Sequence, residues 1–202
     1  MLSGPADHLE RLHADFEKQC CALLGNLIEP ELLETIQTGI DAAEFIPYTH
    51  QGAGVVPPPE DLRMTHNRAS ALLQFLANDP AFLKAVSVIT GVSVAGFSGN
   101  VRRFVPGRHF DTWHNDLAGG RLAAMSLNLS REVFQGGVLQ IRNWDTGVNV
   151  HEIANTGLGD AVLFRIDESL KHRITPLEGT AVRTIFAGFF FATPMFQAPG
   201  AP

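Results

Sequence analysis

Apolar residues recur at helical spacing through the first ninety positions, then give way to short alternating runs. Leu9, Leu12, Phe16, Cys20, Leu23 and Leu24 fall on one side of a helix, and Gly25 supplies a stop. Glu29 and Pro30 open a second helix, with Pro30 in its first turn and Leu32, Leu33, Ile36 and Ile40 on a shared face. Residues 46–62, which contain QGAGVVPPPED, read as a loop, because their glycines and prolines resist regular structure. The loop is a connection or a lid over a site. A third helix is expected around Ala69 to Ala77. A fourth follows Asp79 as cap, with Pro80 at its first position and Gly91 beyond its end.

From Val92 the pattern changes to β-prone runs parted by glycine, aspartate and asparagine. They are SVAGFSGNVRRFV, RLAAMSLNLS, GGVLQIRNW, DAVLFRI, HRITPL and AVRTIFAGFFFA. Short strands at this density predict a sandwich, jelly roll or barrel. The expected fold class is therefore α+β, with helices of 1–91 packed on a β core of 92–195. No polar linker parts the two, so residues 1–202 are read as a single domain.

Composition narrows the function classes. The chain has 202 residues, is 45% hydrophobic and carries a formal charge of −6. Arg102, Arg103 and Arg108 form its densest basic group, too small for a duplex footprint, so no nucleic-acid partner is expected. The two cysteines, Cys20 and Cys21, are neighbours and cannot staple distant parts of a fold. One or both are expected on the inner side of a helix, in a reducing compartment. Charges throughout MLSGPADHLERLHADFEK argue against a signal peptide, and no run is long enough to span a membrane. The expectation is a cytoplasmic protein without a membrane partner; its oligomeric state is open.

The candidate chemistry lies in FDTWHND. His114 and Asp116 are two residues apart, so on an extended backbone both side chains point the same way while Asn115 points away. His172 opens a predicted strand in SLKHRITPLEGTAVRTIFAGFFF. If that strand lies beside the segment bearing His114, two imidazoles and a carboxylate meet on one face. This donor set suits non-haem Fe(II) with open positions, whereas zinc favours a closed tetrahedron or one open site. Arg183 follows His172 by eleven positions, in a run where Arg183, Ile185 and Ala187 share a face. A guanidinium among apolar residues needs an anion, either a structural carboxylate or that of a bound molecule.

These segments, in this order from about Val101 to Phe191, resemble the Fe(II)- and 2-oxoglutarate-dependent oxygenases, especially the prolyl-4-hydroxylase-like branch. RFVPGRHFDTWHND resembles the family's Arg-Tyr-x-x-Gly segment leading into His-x-Asp. RLAAMSLNLSREVFQGGVLQI resembles its next two strands, GLGDAVLF the strand before the distal histidine, and HRITPLEGTAVRTIFAGFFF the distal histidine with the co-substrate arginine. The resemblance implies a double-stranded β-helix (a cupin-like jelly roll) with N-terminal helices on the major sheet. It implies that His114, Asp116 and His172 bind Fe(II) and that Arg183 binds the distal carboxylate of 2-oxoglutarate. With O2, such an enzyme hydroxylates a C–H bond and releases succinate and CO2.

Two positions depart from the family. Phe104 stands where many relatives have a tyrosine that touches the co-substrate, and phenylalanine cannot donate a hydrogen bond. Asn128 stands where relatives often have another tyrosine; it is a candidate second donor to the co-substrate carboxylate, or serves a strand-end turn. Trp113 and Arg103 are the candidate substrate contacts, and His109, close to the site in sequence, is either a surface residue or a neighbour of the metal donors. The expected substrate is a small molecule, an amino acid or a peptide. A competing class is a cupin-like binding module without oxidative chemistry, which has no need of Arg183. A zinc hydrolase would require a general base, and none is evident.

Overall fold

The computed structural model describes residues 6–49, 60–109, 111–155 and 157–195. Its first layer is helical. Helix α1 (Ala6–Gln19) buries Leu12 and Phe16. Helix α2 (Pro30–Asp41) starts on Pro30 and buries Leu33, Ile36, Gln37 and Ile40. Helix α3 (Arg68–Ala77) opens with a reciprocal capping box between Asn67 and Ser70. Helix α4 (Pro80–Thr90) is capped by Asp79, whose carboxylate accepts from Ala81 N and Phe82 N, and ends at Gly91 in the left-handed region, φ 69°. Helices α2 and α3 touch closely at Gly39, where an added Cβ would lie 2.7 Å from that of Ala69. Among the described residues no single helix is long and apolar enough to cross a membrane.

The strands are β1 (Cys21–Leu24), β2 (Phe45–Thr49), β3 (Glu60–Met64), β4 (Gly96–Phe104), β5 (Arg121–Asn128), β6 (Gln135–Gly136), β7 (Leu139–Asn143), β8 (Asn149–Ile153), β9 (Ala161–Arg165), β10 (Leu170–Ile174), β11 (Leu177–Glu178) and β12 (Arg183–Phe191). Seven make the major sheet, in the order β1-β9-β5-β12-β4-β3-β2, and β10-β7-β8 make a smaller one. All pairings are antiparallel. The result is the double-stranded β-helix with helices laid on the major sheet.

Strand alternation sorts the side chains of the major sheet between two faces. On β12, Phe186 and Phe190 turn to the helices and join Phe97 of β4, with ring centroids 5.4 and 4.7 Å from the Phe97 ring. Arg183, Ile185, Ala187 and Phe189 turn the other way, toward the small sheet. The helix layer is also fastened by hydrogen bonds. Asn78 accepts from Phe97 N at 2.8 Å and donates to Phe97 O at 3.0 Å, while Gln37 Nε2 donates to Leu129 O at 2.7 Å. Between the sheets, Leu139, Ile141, Val162, Phe164 and Leu170 form a second apolar cluster.

All six predicted β runs form strands, helices α2 and α4 stand where their capping residues indicate, and α3 stands where its expected range does. The N-terminal half is less purely helical than its periodicity suggests. The first helix stops at Gln19, Cys20 takes φ 60°, and Cys21–Leu24 becomes strand β1 paired with β9. Cys21 is therefore buried within the sheet, not on a helix. Burial raises both thiols, that of Cys21 to about 12. The expected loop at 46–62 instead carries the arms β2 and β3, which extend the sheet beyond β4. Pro47 is tolerated because β2 is the outermost strand. The lid reading concerns residues 50–59, which lie outside the described residues.

Candidate active site

Between the sheets lies a cavity of about 360 Å³ whose walls include His114, Asp116, His172 and Arg183. The sequence separates the two histidines widely, but the backbone joins them. His114 and His172 form an antiparallel bridge, with His114 N donating to His172 O at 3.1 Å and His172 N to His114 O at 2.8 Å. Their rings sit with centroids 4.4 Å apart. Asp116, two residues along, brings Oδ2 to 3.2 Å from His172 Nε2 and 3.9 Å from His114 Nε2. One donor atom from each of the three lies within 4.8 Å of the others, close enough for one metal ion.

Each donor is oriented. The Nδ1–H of His114 donates to Thr112 O at 2.8 Å, which leaves Nε2 with its lone pair toward Asp116. His172 is buried and rests edge-on against Phe164, centroids 4.9 Å apart. Arg121 Nη1 donates to Asp116 Oδ1 at 3.2 Å, leaving Oδ2 to the histidines. Burial pushes the Asp116 carboxyl up. The hydrogen bond from His172 and the charges of His172, His114 and Arg121 outweigh this and hold it below the usual carboxylate range. Two imidazoles and one ionised carboxylate on one side of an ion leave its other side open to the cavity, an arrangement suited to Fe(II) that must take further ligands.

Arg183 marks the other requirement. Its side chain is 3% exposed, it makes no hydrogen bond among the described residues, and its Nε is buried without a partner. Aromatic rings flank it: the guanidinium carbon lies 5.5 Å from the Phe134 centroid and 6.0 Å from that of Phe104. Burial lowers the guanidinium pKa to about 10, and the charge of Asp111 only partly opposes the shift. A guanidinium desolvated in this way, with donors unspent, fits a carboxylate brought in by a bound molecule.

Other predicted positions fall elsewhere. Asn128 is fully buried, but its amide is committed: Nδ2 donates to Gly157 O at 3.0 Å and Oδ1 accepts from Ser130 N at 3.0 Å. It secures the turn before β9 and is absent from the cavity wall, so the second-donor role is corrected to the strand-end one. Trp113 points away from the cavity, as its offset of one from His114 requires. Its ring lies against the guanidiniums of Arg142, at 4.1 Å, and Arg173, at 4.6 Å. Arg103 also leaves the cavity, covering the Phe45 ring at 3.8 Å, with Nε toward Thr184 Oγ1 at 3.4 Å. Its neighbour Arg102 lines the cavity instead.

Of the two readings of His109, the structure takes the one near the site: it is a wall residue. Its side chain is largely buried, its ring lies 4.4 Å from that of Phe104, and Nε2 is 3.2 Å from Asp111 Oδ1. Burial raises the Asp111 carboxyl, but the hydrogen bond and charge of His109 and the charges of His114 and His172 bring it below the usual range. The sequence carried a signal for this pair: His109 and Asp111 repeat the His-x-Asp spacing just before His114.

Residues 99–191 match the model of the 2OG-Fe(II) oxygenase superfamily. No curated protein matches the chain in sequence. Among solved structures, an oxidoreductase of the 2OG-Fe(II) oxygenase family from Burkholderia pseudomallei superposes with a TM-score of 0.72 at 15% identity, covering 94% of this chain and 92% of that one. A Pseudomonas putida prolyl-4-hydroxylase gives 0.65 at 20% identity, covering 91% and 98%. A Trichoplax adhaerens prolyl hydroxylase, in complex with a hypoxia inducible factor oxygen degradation domain peptide fragment, gives 0.67 at 12% identity, covering 94% of each chain.

Proposed function

We propose that this chain is a 2-oxoglutarate-dependent non-haem iron dioxygenase of the 2OG-Fe(II) oxygenase superfamily, whose model matches residues 99–191, and that it hydroxylates a C–H bond of a small molecule, amino acid or peptide. In this reading His114, Asp116 and His172 hold Fe(II), and Arg183 holds the distal carboxylate of 2-oxoglutarate. The observation that carries it is their coincidence on one cavity: three convergent donors and a buried guanidinium with unspent hydrogen-bond donors.

Iron held by His114, Asp116 and His172 would supply activation of O2, coupled to conversion of 2-oxoglutarate into succinate and CO2. The chain's own part is positioning and exclusion. The Thr112 carbonyl fixes the tautomer of His114, and Phe164 fixes the plane of His172. His172, with smaller contributions from His114 and Arg121, keeps Asp116 ionised, and the Arg121 hydrogen bond to Oδ1 leaves Oδ2 toward both histidines. Arg183 sets the depth of the diacid, two strands away from β9 and opposite Phe104. Ile174, Ile185, Ala187 and Phe189 provide an apolar wall that keeps water from the reacting carbon.

The test is turnover of 2-oxoglutarate by the Fe(II)-loaded protein under air, followed by succinate release and O2 consumption. The expected result is slow uncoupled turnover without substrate, abolished in H172A. Intact metal binding with no turnover of 2-oxoglutarate would reject the oxygenase in favour of the binding module.

A further inference from the structure

Among the described residues two guanidiniums, not one, face the cavity without a hydrogen bond. Arg183 is accounted for by the co-substrate. The other is Arg102 of β4, whose Nε is buried and unpartnered. Among the described residues its one polar contact is Asp61 Oδ2 at 3.9 Å, beyond hydrogen-bond reach. That carboxylate is already engaged at 3.3 Å by Arg63 Nε, and the Arg63 guanidinium is stacked 3.2 Å over the Tyr48 ring.

Strand register makes this arrangement costly. Arg63 and Arg102 are direct partners across β3 and β4, and both side chains reach the cavity. Like charges in such positions repel. Asp61, with a fully buried side chain, offsets one of them, so one positive charge remains in excess. No other carboxylate lies within 4.0 Å of either guanidinium among the described residues. The residues outside the description contain no Asp or Glu to supply one. Burial lowers the pKa of Arg102; the charge of Asp61 opposes the shift, Arg63 adds to it, and Asp116 and Asp111, which line the same cavity, oppose it less strongly.

We propose that the prime substrate is a small molecule with a free carboxylate, and that Arg102, backed by Arg63, grips that carboxylate and presents a neighbouring C–H to the iron site. This rests on the oxygenase reading and narrows it. A single excess charge matches a monoanionic carboxylate better than a dianionic phosphate ester. A guanidinium fork accepts a carboxylate through two parallel hydrogen bonds. The two anions are kept apart by register: Arg183 stands opposite Phe104, and Arg102 is two residues farther along β4, opposite Ile185.

The experiment uses the full chain loaded with Mn(II) and N-oxalylglycine, a stable mimic of 2-oxoglutarate. Standard L-amino acids, simple hydroxy acids, their primary amides and matched phosphate monoesters are added, and Mn(II)-induced proton relaxation reports which of them approach the metal. At least one acid is expected to relax, and its amide and phosphate counterparts are not. R102Q and R63Q should weaken that acid by about tenfold or more, the loss of one charged hydrogen bond, without weakening N-oxalylglycine. Ligand-free R102Q should melt no lower than the parent protein, because it loses an uncompensated charge.

Several results overturn the proposal: no acid relaxes, amides or phosphates bind as well as acids, or acid binding survives R102Q. A drop in ligand-free melting temperature on R102Q assigns Arg102 to structure, and equal weakening of N-oxalylglycine assigns it to the co-substrate. Failure of the parent protein to bind Mn(II) with N-oxalylglycine would instead strike at the iron site itself, before Arg102 is reached.

Discussion

Replacing Arg183 by methionine should move stability and co-substrate affinity in opposite directions. The side chain is 3% exposed and hydrogen-bonded to nothing among the described residues. Burial drops its pKa from 12.5 to about 10, a destabilisation of the charge worth roughly 3 kcal/mol at neutral pH. The sign is fixed: a cation with a depressed folded pKa costs stability at every pH below that value, and the cost fades only as pH rises toward the unfolded value. Methionine keeps much of the packing against Phe104, Phe134 and Ile185 without the charge. The ligand-free R183M protein should therefore be stabilised by up to about 3 kcal/mol, a rise in Tm of roughly 6–12 °C for a chain of this size. The same change deletes two charge-assisted hydrogen bonds to the diacid, at roughly 1.5–3 kcal/mol each. The Kd for 2-oxoglutarate should rise about 10²–10⁴-fold. Calorimetric melting without ligand and anaerobic titration of the metal-loaded protein with 2-oxoglutarate measure the two effects. A destabilised variant with an unchanged Kd would refute the assignment and make Arg183 a structural residue.

Asp116→Ala should weaken Mn(II) binding by more than roughly 100-fold, since even outer partners of metal ligands cost 10–100-fold; titration followed by electron paramagnetic resonance checks this. Metal retention should fall as pH drops through the ordinary histidine range, because imidazole binds only when neutral; iron content after dialysis across that range tests it. The depressed Asp111 and Asp116 carboxyls add stability to the metal-free fold that is complete above the ordinary carboxylate range. It is lost as pH falls through their lower folded values, which urea midpoints between about pH 6 and 3 would follow. Asn128→Ala should cost about 1–3 kcal/mol by orphaning Gly157 O and Ser130 N, yet leave the Kd for 2-oxoglutarate within a few-fold.

The site was legible where chemistry and spacing reinforce each other. His114, Asp116, His172 and Arg183 combine scarce residue types with alternation and strand order, and folding brings all four to one cavity. Misplacements came from ignoring the same alternation. Phe104 faces the site, so Arg102 must and Arg103 cannot; His114 faces it, so Trp113 cannot. Asn128 has the right parity, but its amide is claimed by the turn before β9, a demand that appears only when that strand is in place. In the N-terminal half, Cys20, Leu23 and Leu24 continue a helical period. Pairing with β9 overrides it once Cys20 turns the backbone to φ 60°. Strand β3, EDLRM, offers only Leu62 and Met64 as an alternating apolar pair, too short a signal to stand out beside the proline run; it forms because β2 and β4 flank it.

The placement of β1 bears on how the protein is made. A ribosome delivers Cys21–Leu24 long before its hydrogen-bonding partner, Ala161–Arg165. At roughly 5–20 residues per second, the delay between the two is about 7–27 s. Throughout it, an apolar tetrapeptide that begins with one thiol and follows another has no β9 to pair with. Nascent chains of this protein should therefore need shielding until late in translation, and truncations that stop before β9 should aggregate.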